Sequence, residues 1–286
     1  MLLKSDKLNQ IITKKVVSVS RDTSLLDARE ILLRYKLKRL LVLDSKNRPI
    51  GIITEKDIAK TVYSLGDKSI KSVVVGGFMS KNLITVKKNS SIYDCAKLMK
   101  RHKISSIIVL NDDGTLAGLV TKTDLSSIFL TQATSSLKIS KIMTRNVITA
   151  MPGDSLLYVE SLLINNRISR IVIQRNKTPV GIITYRDFFP VKLPRWIAES
   201  ADPEEVSRYK TSIQSEFAVN QMSHLMSFKA VDIMTSNPIT IDANEDVAVA
   251  VLLMIRNRIS GLPVVKNSKL VGIITKADIV RAIAEK

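Results

Sequence analysis

A threonine and an aspartate recur four times at one spacing, each time after a glycine and two aliphatic residues. The four strings are GIITEKD (Gly51–Asp57), GLVTKTD (Gly118–Asp124), GIITYRD (Gly181–Asp187) and GIITKAD (Gly272–Asp278). At the end of a strand and the start of a helix, such a pair can act in two ways. It can form a capping box that satisfies free backbone N–H groups. Alternatively, the hydroxyl can face a phosphate while the carboxylate accepts hydrogen bonds from a ribose diol.

The residues around each string recur as well, which indicates an internal repeat. An aliphatic run precedes each glycine, at residues 40–43, 107–110, 171–173 and 262–265. Further upstream lies a leading segment, at 78–85, 142–149 and 233–240, with a degenerate first copy at 12–18. Helical apolar spacing separates the two, and turn residues join the aliphatic run to the motif. Each repeat is therefore predicted to run strand, helix, strand, turn, strand, helix.

The motif glycines lie 67, 63 and 91 residues apart, so the third connection carries an insertion. The predicted boundaries are residues 1–66, 67–133, 134–190 and 230–286 for the four repeats, with the insertion at 191–229. Acidic residues after Pro203 favour a helix start, and apolar residues follow at helical spacing. We expect this insertion to be helical and to pack on the second half of the chain through Trp196, Tyr209 and Phe217.

With these motifs, the chain resembles four cystathionine-β-synthase (CBS) domains in series. The resemblance implies an α/β fold in which repeats pair, one with two and three with four, into two Bateman modules that form a disc-like body. Four such repeats are similar to the regulatory γ subunit of AMP-activated protein kinase and its archaeal relatives. In this family the clefts between paired repeats commonly hold adenosyl ligands such as AMP, ADP, ATP or S-adenosylmethionine.

The resemblance also implies a role for each motif residue, while capping or a solvated surface charge remains the alternative at every position. The ribose-binding acids would be Asp57, Asp124, Asp187 and Asp278. The residues facing phosphate or ribose would be Thr54, Thr121, Thr184 and Thr275. The cations for phosphate would be Arg39, Arg170, Lys56, Lys122, Arg186 and Lys276. The base would lie near Ser18, Thr85, Thr149 and Thr240.

The four clefts are not expected to be equivalent, because the cations differ between repeats. Repeat three has Arg170 and Arg186, and repeat one has Arg39 and Lys56. Repeats two and four keep one lysine each. Charge alone ranks the third cleft first and the first cleft second, unless a phosphate reaches a cation of the paired repeat.

Composition limits the function classes. The chain of 286 residues has a net charge of +18 and is 45% hydrophobic, so it can form cores and favours anionic partners. The single cysteine, Cys95, lies in an apolar helical pattern and suits a reducing compartment. Because the sequence lacks a long apolar span and the leading apolar core of a signal peptide, we expect a cytoplasmic protein without membrane contact.

Three function classes follow, and the first is favoured. The first is a non-catalytic, energy-sensing regulator that binds an adenine nucleotide as ligand, needs no cofactor or metal, and signals to an effector protein. The second is a nucleic-acid-binding regulator that uses the basic surface, although aromatic residues are only 5% of the chain. The third is an enzyme, for which the sequence offers no P-loop, no catalytic triad and no ligand cluster around His102 or His224. Homodimer formation stays open.

Overall fold

The computed structural model describes residues 8–64, 70–132, 137–188 and 228–285. Repeat one contains β1 (Ser18–Val19), α1 (Leu25–Arg34), β2 (Arg39–Leu43), β3 (Pro49–Thr54) and α2 (Glu55–Ser64). Repeat two contains β4 (Thr85–Lys87), α3 (Ile92–Arg101), β5 (Ser106–Leu110), β6 (Leu116–Thr121) and α4 (Lys122–Gln132). Short 3-10 turns at Leu8–Gln10 and Val75–Gly77 precede the first strands of these repeats.

The second half follows the same order. Repeat three contains α5 (Ile139–Ile142), β7 (Thr149–Ala150), α6 (Leu156–Asn165), β8 (Arg170–Arg175) and β9 (Thr178–Thr184), and then a 3-10 turn at Tyr185–Phe188. Repeat four contains α7 (Ala230–Ile233), β10 (Thr235–Ser236), β11 (Ile241–Asp242), α8 (Val247–Arg256), β12 (Gly261–Lys266), β13 (Lys269–Thr275) and α9 (Lys276–Ala284).

Each repeat builds its own small sheet from the alternation predicted by the sequence. The first strand pairs parallel to the second, as β1 does to β2, because a helix provides the crossover between them. The second strand pairs antiparallel to the third, as β2 does to β3, through a short turn. Side chains of Ser24, Ser91, Ser155 and Asp246 accept hydrogen bonds from the first turn of the crossover helices.

The leading segments cross between paired repeats. The backbone of Thr13, in repeat one, bridges to Leu119 of repeat two, and Ser80 of repeat two bridges back to Ile52. Thr144 and Ile273 form the corresponding bridge in the second pair, and β10 pairs antiparallel with β9. This exchange joins each pair into one module.

The exchange also explains the motif glycine. A Cβ at Gly51 would lie 2.2 Å from the sulfur of Met79, and one at Gly181 would lie 2.3 Å from the sulfur of Met234. Each methionine belongs to the leading segment of the paired repeat. The glycine therefore makes room for the segment that crosses over.

The four repeats close into a ring. Sheets of repeats one and two meet around Leu41, Ile108 and Leu119, while β9 packs on β13 between repeats three and four. Helices α8 and α9 of repeat four pack on α3 and α4 of repeat two within one apolar core. Helix α2 packs on the turn at Tyr185–Phe188, which joins repeats one and three.

The predicted fold of four α/β repeats in two paired modules is confirmed. Cys95 is buried, and burial raises the pKa of its thiol to about 12. The second helix predicted for repeat three is represented by a single 3-10 turn up to Phe188. The predicted insertion at 191–229, with Trp196, Tyr209 and Phe217, lies outside the described residues. No helix among the described residues is long and apolar enough to cross a bilayer.

Candidate functional site

The motif threonine and aspartate form the same contact in all four repeats. One carboxylate oxygen, Oδ2, accepts from both the backbone N–H and the hydroxyl of the threonine three residues earlier. The N–H to Oδ2 distances are 2.9 Å for Asp57, 2.7 Å for Asp124, 2.6 Å for Asp187 and 2.8 Å for Asp278. The acid therefore holds its threonine in every copy, and in repeats one, two and four a backbone N–H of the following helix also donates to the threonine hydroxyl, as in a capping box.

The other carboxylate oxygen separates the repeats into two kinds. In Asp57, Asp124 and Asp187, Oδ1 accepts no hydrogen bond from any residue that the structure describes. In Asp278, Oδ1 accepts from the Thr144 hydroxyl at 2.9 Å and forms an ion pair with the Arg281 guanidinium at 2.8 Å. The first three acids can accept from a ligand as they stand, whereas the fourth is already engaged.

An open cleft of about 480 Å³ lies beside the acid of repeat two. Asp124 and three residues of α4 form one side, and the leading segment of repeat one forms the other. The lining residues are Gln10, Ile11, Ile12, Ile92, Asp124, Ser127, Ile128 and Thr131. Four isoleucines and four polar residues, Asp124 among them, thus line the cleft, and its walls come from both repeats of a module.

The residues predicted to surround the base lie apart from this cleft. Ser18, Thr85 and Thr240 are exposed, and none of them is among the cleft's lining residues. Thr149 is half-buried and its hydroxyl accepts from Gln174 at 2.9 Å. The wall of this cleft is formed by residues 10–12, at the start of the leading segment that holds Ser18. Base binding near Ser18, Thr85, Thr149 and Thr240 stays a prediction.

Cations from all four repeats gather where the repeats meet. Lys38 and Arg170 both donate to the Ser260 hydroxyl at 2.7 Å, although the three residues come from three different repeats. The Lys276 ammonium donates to the Thr123 hydroxyl at 3.0 Å. Lys122 lies close enough for the charges of Arg39 and Arg170 to act on it. The junction is therefore a cationic cluster shared by both modules.

The two arginines of this cluster reach across to the even-numbered repeats. Arg39 donates to the backbone oxygen and hydroxyl of Ser105 at 3.1 and 3.0 Å. Arg170 lies over Gly261, where a Cβ would fall 2.0 Å from a guanidinium nitrogen. Small residues in repeats two and four, Ser105 and Gly261, thus leave room for the arginines of repeats one and three. The ranking of clefts from the sequence counted each arginine for its own repeat unless a phosphate reaches a cation of the paired repeat, and it stays a prediction.

Electrostatic interactions also cross between repeats. The charge of Asp124, in repeat two, acts on Arg39 of repeat one and on Lys276 of repeat four. The charge of Asp278, in repeat four, acts on Arg170 of repeat three and on Lys122 of repeat two. Each even-numbered acid therefore has an arginine from its own module and a lysine from the opposite module nearby.

Burial and mutual repulsion lower the pKa of these cations. Burial first, and then the charge of Arg170, lowers the pKa of Lys38 to about 8. Burial lowers the pKa of Arg39 and Arg170 to about 10, and it also lowers the pKa of Lys122 and Lys276. Cations held together in this way favour the arrival of an anion.

The remaining two predicted cations lie at the junction of repeats one and three. Arg186 forms an ion pair with Glu55 and donates to the backbone oxygen of Leu37 at 2.9 Å. Lys56 lies 5.7 Å from the ring centre of Tyr185. These contacts join the modules, and they lie beside the central cluster, because the charge of Glu55 also acts on Lys38 and Arg39.

The sequence matches the CBS domain family at residues 8–64, 75–130, 139–191 and 230–285. The chain belongs to the CBS domain family. Its clefts therefore lie between paired CBS repeats, and the crossing leading segments are the edges of these domains.

Relatives span the whole four-repeat chain. Protein MJ1225 of Methanocaldococcus jannaschii is 27% identical over 95% of this chain and 96% of its own length. Its crystal structure, described as that of a proposed archaeal homologue of g-AMPK, superposes with a TM-score of 0.80 at 24% identity over 98% of this chain and 100% of its own. A conserved protein of Pyrococcus horikoshii superposes with a TM-score of 0.63 at 17% identity over 97% of this chain and 100% of its own. These structures establish the fold.

Sequence reasoning missed three parts of this CBS site. It did not include the wall formed by Gln10, Ile11 and Ile12, because local sequence patterns do not specify which repeats pair. It did not include Lys38 or Ser260, which adjoin predicted residues. It also missed Arg281, although an alignment of the four motifs places that arginine three residues after Asp278, where repeat two has Ser127.

Proposed function

We propose that this protein binds an adenosyl ligand, an adenine nucleotide above all, in the clefts between its CBS repeats and acts as a regulator without catalysis of its own. One observation carries the proposal. The cleft of repeat two combines apolar walls, a carboxylate oxygen without a partner among the described residues, and cations beside it. These are the features needed for a base, a ribose and a phosphate.

The geometry supports a definite pose in this cleft. The ribose diol donates to Oδ1 of Asp124, whose other oxygen stays with Thr121. The base lies between Ile12 and the helical side chains of Ile92 and Ile128. The phosphate points to the centre of the ring, where Arg39 and Lys276 are within range of the Asp124 charge.

A phosphate at the centre would connect the two modules. Lys276 comes from the second module and Arg39 from the first, so both modules would bind one anion. A ligand shifts a conformational equilibrium only by its difference in affinity between the two arrangements. Nucleotides with different phosphate counts therefore differ in how strongly they hold the modules together, and an effector protein can read that difference. This is the sense in which we propose energy sensing.

The test is calorimetric titration with adenosine, AMP, ADP, ATP and S-adenosylmethionine, comparing the wild type with Asp124→Asn. The asparagine keeps an oxygen for Thr121 but loses the charge. We expect about ten- to a hundredfold weaker binding at that cleft, as the loss of a charge-assisted hydrogen bond of roughly 1.5–3 kcal/mol implies. Asp94→Asn, on the exposed face of α3, is the control. Unchanged affinity in Asp124→Asn would reduce the motif to a capping box.

The net charge of +18 supports a second candidate, a nucleic-acid-binding regulator. Titration with single-stranded RNA and duplex DNA at several salt concentrations separates the two. Nucleic-acid binding should weaken steeply with salt through counterion release, and Asp124→Asn should leave it unchanged. Adenosine binding should depend on Asp124 and only weakly on salt.

A further inference from the structure

Arg281 lies in repeat four where repeat two has its open cleft. Its guanidinium contacts Oδ1 of Asp278 at 2.8 Å and the backbone oxygen of Ile142 at 2.6 Å. The first partner is the motif acid of repeat four. The second belongs to the leading segment of repeat three, which crosses over to form the opposite wall.

Alignment of the two repeats shows that these positions correspond. Asp278 matches Asp124, and Ile142 matches Ile11, one residue before the side chain that covers the motif glycine. Arg281 matches Ser127, whose short side chain lines the cleft and donates to the backbone oxygen of Thr123 at 3.0 Å. The substitution of serine by arginine thus places a long cationic side chain between the two walls.

A second contact completes the closure. The Thr144 hydroxyl donates to Oδ1 of Asp278 at 2.9 Å, so this oxygen has both a hydrogen bond and an ion pair within the protein. Thr13 holds the matching position in repeat one, and it makes no side-chain hydrogen bond to Asp124 among the described residues. The difference between the clefts is therefore local to Arg281 and Thr144.

We propose that Arg281 is an internal substitute for the ligand and keeps the fourth cleft closed. This rests on the proposed function, because the two acceptors that Arg281 occupies are those that a ribose hydroxyl and a base N–H would use. The guanidinium supplies donors to both at once. An adenosyl ligand must displace it before binding.

The exposure of Asp278 and Arg281 indicates how strongly the arginine closes the fourth cleft. The side chain of Asp278 is 3% exposed and that of Arg281 is 40% exposed, so the arginine covers the acid from the mouth of the cleft. A half-exposed arginine can swing into solvent at modest cost. The fourth cleft is therefore a site that stays empty at adenosine concentrations that fill the others, although it keeps its acid.

The experiment isolates the fourth cleft and then opens it. In the variant D57N/D124N/D187N only repeat four keeps its acid. Adding Arg281→Ser should strengthen adenosine binding by about tenfold or more, the equivalent of one lost charge-assisted contact. Adenosine has no phosphate, so the change in charge near the ligand does not confound the comparison; AMP serves as a second ligand.

The reciprocal variant is Ser127→Arg in the otherwise unchanged protein, which should remove one binding site from the stoichiometry with adenosine. This keeps the proposal testable if Arg281→Ser folds poorly, as judged by its thermal midpoint. Equal adenosine affinity with and without Arg281→Ser, or an unchanged stoichiometry in Ser127→Arg, would overturn the closure.

Failure of the proposed function would look different. If the wild type binds none of the adenosyl ligands, that function is wrong, whereas the closure can still be judged from crystal structures. An opening beside Asp278 in Arg281→Ser, absent from the wild type, would support it. A cleft that is equally open in both proteins would refute it.

Discussion

At the scale of single residues, the motif aspartate can cap a helix and bind a ligand at the same time. Oδ2 of Asp124 accepts hydrogen bonds from Thr121, whereas Oδ1 has no partner among the described residues and is available to a ligand in the cleft. The capping bonds fix the carboxylate at the start of α4, which orders it before any ligand arrives. The sequence pattern could not separate the two roles because one side chain serves both.

Lys38 should make phosphate binding depend on pH. Its pKa is lowered to about 8 by burial and by the charge of Arg170. A bound phosphate favours the protonated form, so the affinity for AMP should fall as pH rises from 7 through 8 to 9.5. Titration of the wild type and Lys38→Met should show this fall only in the wild type.

The same shift has an opposite consequence for the ligand-free protein. Below pH 8 the lysine is charged in both folded and unfolded states, while between 8 and 10.5 only the unfolded chain holds the proton. The contribution of Lys38 to stability is therefore complete above pH 10.5 and is lost as pH falls through 8.

Adenosine is the control for the AMP titration. Because it has no phosphate, its affinity should change little over this pH range. A fall in adenosine affinity that matched the fall for AMP would exclude Lys38 as the cause.

At the scale of elements, the sequence predicted the strands and helices of each repeat but not how the repeats pack together. Periodicity and turn residues predicted the strands and helices around each motif, since these depend on neighbours in sequence. The exchange that puts Met79 on Gly51 and Ile12 on Gly118 joins distant segments, and no local pattern specifies it. For the same reason, the sequence did not predict the wall formed by residues 10–12.

The crossover helices also show where the repeats differ. Glu160 is buried on α6, and its place is taken by Ala96 in α3 and by Val251 in α8. Burial raises the pKa of Glu160 to about 7, and the Glu160 charge in turn contributes to the raised pKa of Tyr185. An acid at a position that is apolar in two other repeats makes α6 sensitive to pH.

Glu160→Gln should remove that sensitivity. The folded pKa of the glutamate lies above the ordinary value of 4.5, so its contribution to stability is complete below pH 4.5 and is lost as pH rises through 7. Relative to Glu160→Gln, the wild type should lose about 2–3 kcal/mol between pH 5 and pH 8. Urea unfolding at the two pH values measures the difference. Parallel behaviour of both proteins would contradict the assignment.

At the scale of the whole molecule, the ring is held by two unlike junctions. Repeats two and four meet through apolar helices, with Leu125 and Ile279 fully buried in a shared core. Repeats one and three also share a buried apolar core, which includes Ile58 and Phe188. Their junction adds the ion pair of Glu55 with Arg186, beside the contact of Lys56 with Tyr185. Both junctions gain from burial of apolar surface, and the second contains a largely buried ion pair as well. We expect ligand-dependent movement to occur at the charged junction.

The pair of Glu55 and Arg186 provides a direct test of that junction. Its side chains are only 13% and 32% exposed, and burial raises the pKa of Glu55 although the arginine opposes the rise. Removal of Arg186 alone leaves a largely buried carboxylate without its ion-pair partner, which should cost more than removal of both charges. Arg186→Gln should therefore be less stable than Glu55→Gln/Arg186→Gln.

A double-mutant cycle on this pair should give a coupling energy of roughly 1–3 kcal/mol in urea unfolding. Lys87 and Asp112 are the matched control, because their ion pair lies within one repeat and its side chains are 53% and 102% exposed. That cycle should give about 0–1 kcal/mol and should vanish in 1 M salt, while the buried pair should keep most of its coupling. If both cycles gave the same small value, Glu55 and Arg186 would not hold the modules together. This ion pair would then not control movement between repeats one and three, and the route from the central phosphate to an effector protein would have to depend on the apolar contacts between repeats instead.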